Sequence, residues 1–77
     1  DREAYEILQK GLKVLPDIAA LHYSLGLWYV RNKEKDRALA ELEKAVELDK
    51  DDARFAYVYA VALGEKKPKE AIKVLEA

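Results

Sequence analysis

The chain has 77 residues, 51% of them hydrophobic and 38% charged, with a formal net charge of −1. Such a length holds at most one small domain, and so even a balance of charge excludes a nucleic-acid binder driven by a basic face. With no cysteine, three glycines and two prolines, disulfides, thiolate metal sites and thiol catalysis are excluded, and the composition is that of an all-helical protein.

Residues 2–15 set Ala4, Ile7, Leu8, Leu12 and Leu15 at helical spacing, with Glu3, Glu6, Lys10 and Lys13 left for solvent. Pro16 stops this helix, and Asp17 is placed to cap the next by accepting from its free N–H groups. A second helix is predicted over about 18–31, followed by a charged turn from Asn32 to Asp36. The third, about 37–48, is amphipathic. Ala38, Leu39, Leu42, Ala45, Val46 and Leu48 share its inner face, while Glu41, Glu43, Lys44 and Glu47 meet water. After a break at 49–52, with Asp51 or Asp52 as cap, a fourth helix runs over about 53–63 and ends at Gly64. A fifth, about 68–77, starts at Pro68 and keeps Ala71, Ile72 and Leu75 together. A strand over 55–61 is rejected despite its Tyr and Val, because apolar and polar residues do not alternate. The longest apolar run, 55–63, is too short to span a bilayer, and no targeting segment is visible.

A displacement of roughly 34 residues lays the chain on itself. Ala4 falls on Ala38, Leu8 on Leu42, Leu12 on Val46 and Val14 on Leu48. Leu21 then falls on Phe55, Tyr23 on Tyr57, Leu25 on Tyr59 and Gly26 on Ala60, and Asp17 on Asp51. One residue short, the match resumes with Ala38 on Ala71, Leu39 on Ile72 and Leu42 on Leu75. Between 19 and 50 the order Leu25-Gly26, Tyr29, Ala38, Leu42, Ala45 resembles a tetratricopeptide repeat. On that resemblance, 1–16 is the second helix of a preceding repeat, 17–50 a complete repeat and 51–77 a following, truncated one. It implies an all-α, right-handed superhelix of antiparallel helix pairs, about five helices in all. His22 and Lys50 depart from the family pattern, standing where Trp and Pro are common, and Tyr59-Ala60 replaces the leucine-glycine pair in the last copy. The small residues have a packing reason. Gly26 and Ala60 on the first helices, with Ala38, Ala45 and Ala71 on the second, let crossing backbones approach.

The first helix of each pair is apolar on more than one side. Neither 25–30 nor 55–63 carries a charge, so each must be covered from several directions. The second helices are expected to take Leu25, Gly26, Tyr29, Tyr59, Ala60 and Leu63, while Leu21, Trp28, Phe55 and Ala62 turn to adjacent helices. Tyr23, Leu27, Val30, Tyr57 and Val61 remain on a third side, flanked by Arg31 and Arg54. In the family this chain resembles, that side is a concave groove that receives peptides or helices, and a tyrosine's ring and hydroxyl suit recognition. Two readings stand: a partner-binding groove, or plain packing, either of one first helix on another or against further repeats of a longer array. The family's carboxylate clamp of Lys, Asn and Arg is not carried over. Its slots hold Tyr23, Leu27 and Tyr57 here, and only Arg54 resembles a clamp residue, so a C-terminal acidic peptide is not expected.

His22, the sole histidine, is expected to pack in a slot for a large aromatic, and its neighbours Tyr23 and Ser24 point elsewhere on the helix. Neither metal, cofactor nor catalysis is expected from this set. Lys66, Lys67, Lys69 and Lys73 read as a solvated helix start. The expected function is a non-catalytic scaffold that binds a protein or peptide, with no nucleic-acid partner and no membrane span. The alternative is a structural or self-associating segment of a larger protein, an enzyme or cytochrome, whose activity lies elsewhere. Both ends lack a polar cap, so the chain is expected to be a piece of a longer array or to pair with another copy.

Overall fold

In a computed structural model, residues 2–64 are described, with Lys69 and Lys73 beyond them. Four helices occupy the described residues: α1 (Arg2–Val14), α2 (Ala19–Arg31), α3 (Lys35–Leu48) and α4 (Ala53–Gly64). Apart from Lys69 and Lys73, the predicted fifth helix lies outside the described residues, as do Lys66 and Lys67 before it.

Each connection has a local cause. Leu15 N–H still donates to Gly11 C=O at 2.8 Å, and then Pro16, which has no N–H, ends α1. The cap predicted at Asp17 is not made. Ile18 holds the capping position in extended conformation and offers no side-chain acceptor, so Asp17 stands one residue too early. At the start of α4 the corresponding residue is Asp52, whose Oδ1 accepts from Arg54 N–H at 2.9 Å. The recurring aspartate of the sequence, Asp17 on Asp51, is therefore not a recurring cap.

The charged turn after α2 is tighter than expected. Lys33 adopts a left-handed conformation (φ 61°), donating its N–H to Val30 C=O at 3.1 Å, while Glu34 N–H donates to Tyr29 C=O at 2.9 Å. These two bonds form a Schellman motif with lysine where glycine is usual. The chain reverses so quickly that Glu34 already holds the N-cap position of α3, without a side-chain cap, and the helix begins at Lys35 rather than about 37. Its first turn is all charge, so no apolar period announced it.

α3 packs against both α2 and α4, and α1 packs on the other side of α2. The core is built from Leu25, Tyr29, Ala38, Leu42, Ala45, Phe55, Ala60 and Leu63, all buried. At the α2–α3 crossing a Cβ on Gly26 would lie 2.8 Å from both Cγ and Cδ2 of Leu42. No real Cβ tolerates that approach to a branched carbon, so the close crossing requires a glycine.

Around this core sits an aromatic cluster from α1 and α2. The Tyr5 ring stacks at 4.6 Å from Trp28 and meets Tyr29 edge-on at 5.9 Å. The Tyr29 hydroxyl donates to that of Tyr5 at 3.4 Å, and Gln9 Nε2 donates to the same oxygen at 2.8 Å. Burial, followed by the Tyr5 hydroxyl, pushes the Tyr29 phenol up to about 12. The bonds from Tyr29 and then Gln9 lower that of Tyr5.

His22 does more than fill an aromatic slot. Its half-buried ring sets Nδ1 2.7 Å from Glu41 Oε1 on α3 and Nε2 2.7 Å from the Pro16 carbonyl. One side chain thereby joins α2 to α3 and to the end of the preceding helix. Glu41, expected to face water, is half-buried in this bridge.

Candidate groove across the helix pair

Beside Gly26, the side of α2 that carries Leu27 and Val30 stays partly open. Leu27 and Val30 on α2, Lys35, Ala38 and Leu39 at the start of α3, and Val58, Val61 and Ala62 on α4 enclose a recess of about 320 Å³. It forms because α2 and α4 both present their C-terminal halves to the first turns of the antiparallel α3. Small Ala38 and Ala62 leave room between the branched side chains. A second recess of about 320 Å³ is lined by Leu8 of α1 with Ser24, Leu27, Val30 and Arg31 of α2. Leu27 and Val30, one turn apart, form the ridge shared by both.

Of the residues singled out from the sequence, Leu27, Val30 and Val61 meet in the first recess, and Arg31 lines the second. Val30 and Val61 are 43% and 53% exposed, large values for side chains that gain from burial. Tyr57 stands out from α4 at 62% exposure and lines neither recess. Tyr23 turns instead to Phe55, with ring centroids 4.6 Å apart, and helps hold α2 against α4. Arg54 is anchored beside the cap: its Nη2 lies 3.1 Å from Asp52 Oδ2, and its guanidinium carbon lies 5.9 Å from the Phe55 ring centre. Its hydrogen bond holds the Asp52 carboxyl below the usual carboxylate range, and Asp52 in turn raises Arg54.

Val58, Leu39, Lys35 and Ala62 belong to the recess and were not singled out for it. Val58, Val61 and Ala62 sit at helical spacing on one face of α4, a signal that Tyr57 obscured by sharing the i, i+4 relation with Val61. Among the described residues no group of three His, Cys, Asp or Glu side chains is placed to hold a metal ion, and no helix is long and apolar enough to cross a membrane.

The family model for the tetratricopeptide repeat matches residues 19–52. No curated protein and no solved structure matches the chain. The matched segment takes in α2, the Schellman turn, α3 and the approach to α4, and it contains the Gly26–Leu42 crossing. The segment that matches the tetratricopeptide repeat, 19–52, has α2 and α3 as its helix pair.

Proposed function

We propose that this chain is a non-catalytic interaction module that binds a partner's peptide or helix along the ridge of Leu27 and Val30. The observation that supports this most is the apolar recess between α2, α3 and α4, whose Val30 and Val61 remain about half exposed. Such groups gain on burial against a partner, and a recess lets shape as well as area discriminate. In this reading 1–16 and 51–77 are partial copies flanking the repeat, and the pairs continue as a right-handed superhelix with the recess on its concave side.

Site-specific photo-crosslinking tests the proposal. A benzophenone amino acid at Val61 should capture a polypeptide in cells, and the same group at Lys44, on the exposed side of α3, should not. Equal capture from both positions, or capture only from Lys44, removes the groove.

A second reading is favoured by a different surface. Ile7, Val14, Leu15 and Ile18 are 62%, 76%, 53% and 42% exposed on and just after α1. In that reading the chain is a structural segment that associates with itself or with further helices through this strip. Sedimentation separates the two, since a monomer at high micromolar concentration is incompatible with self-association.

A further inference from the structure

We infer that the segment the groove takes is both apolar and acidic, with two apolar side chains straddling the Leu27–Val30 ridge and a carboxylate beside Arg31. This rests on the groove reading above and adds the partner's chemistry to it. The two recesses share Leu27 and Val30 but open on different sides of them, one toward α4 and one toward α1. A single side chain cannot fill both, so a segment lying across the ridge presents two.

The charge follows from the lining. Among the described residues each recess has one charged side chain, Lys35 in the first and Arg31 in the second, and neither has an acid. Arg31 is exposed and takes part in none of the ion pairs found among the described residues. Around it, the stretch 31–37 sets Arg31, Lys33, Lys35 and Arg37 against Glu34 and Asp36, in a chain whose net charge is −1. Glu34 already lies 3.6 Å from Arg37. The positive character of this end is thus local and borders the apolar recesses. A basic segment would meet like charge there, and a neutral one would leave the guanidinium fork unused. A carboxylate accepts two of its N–H groups at once.

A displayed library of random 12-residue peptides, panned against the whole chain, tests this. Val61→Asp and Val30→Asp serve as groove-blocked controls, both at half-exposed positions, with helicity checked by circular dichroism. The expected result is a set of peptides retained by the native chain and lost with both variants. These should carry two spaced apolar residues and more Asp and Glu than the library. A synthetic peptide of the leading sequence should bind roughly two- to five-fold more weakly to Arg31→Gln, as for an exposed ion pair, and more weakly still in high salt. Groove-dependent peptides that are neutral or basic, or an affinity indifferent to Arg31→Gln and salt, overturn the inferred chemistry and leave the groove standing. Absence of any groove-dependent enrichment overturns the groove itself.

Discussion

α2 and α4 are aligned on each other by the same displacement in the sequence, and are held by different means. α2 begins without a side-chain cap and is tied down by its neighbours: His22 reaches Glu41 and the Pro16 carbonyl, Gly26 sits on Leu42, and buried Tyr29 packs against half-buried Tyr5. α4 begins on its own cap at Asp52, has Ala60 where α2 has Gly26, and has Leu63 where α2 has Tyr29. Even the repeated tyrosines part company, Tyr23 against Phe55 and Tyr57 largely in solvent. Periodic sequence repeats the backbone placement. The environment of each side chain is set by which neighbours its helix has. Gly26 and Ala60 are both buried, as are Tyr29 and Leu63, while half-buried Leu27 and exposed Val61 line one recess.

The sharpest way to break this contrast is at the crossing. Gly26→Ala drives a methyl into Leu42 and is expected to cost about 1–3 kcal/mol in urea unfolding. Ala60→Gly, which makes α4 resemble α2, should cost only about 0.5–1 kcal/mol, the helix-interior penalty of glycine.

Next comes alkaline pH, to which the α2 side should respond through the buried phenol of Tyr29. Tyr29 titrates at about 12 in the folded chain against an ordinary 10.0, so above pH 10 the unfolded chain loses this proton first. Fewer protons on the unfolded state means stability falls as pH rises from 10 to 12. The loss is at most about 3 kcal/mol, and the lowered Tyr5 phenol runs the other way. Tyr29→Phe should flatten this part of the pH–stability curve; an unchanged slope would assign the alkaline loss elsewhere.

Smaller again is the cap. Ile18→Asp gives α2 the acceptor that α4 has and should add about 1 kcal/mol, whereas Asp52→Ala should remove a similar amount. Calorimetric melting of the two variants checks both signs. If Ile18→Asp lowers the melting temperature, the exposed Ile18 side chain matters more than the missing cap.

Much of the fold was legible because it rests on local spacing. The small residues Gly26, Ala38, Ala45 and Ala60 stand where they do because two helices crossing closely admit nothing larger, and that constraint shows as a pattern in one dimension. Less legible was whatever depends on turn geometry or on partners distant in the chain. Lys33 in a left-handed conformation carries no sequence mark, since glycine or asparagine is the usual sign. The His22–Glu41 contact spans two helices, and an acid on an amphipathic helix reads as solvent-facing until its neighbour is placed. Within the groove, Leu27, Val30 and Val61 could be read as residues left over after the core was assigned. Leu39 and Val58 could not, because their part in the recess follows from how three helices meet at one end.

α2 has one side locked into the core and one side open. Methyl relaxation by a soluble gadolinium chelate measures both in one experiment. The expected result is strong relaxation at the Val30 and Val61 methyls and protection at Leu25, Leu42 and Leu63. Val30 and Val61 protected as fully as Leu25 and Leu42, at dilutions where the chain is monomeric, would show the groove to be closed and contradict the account.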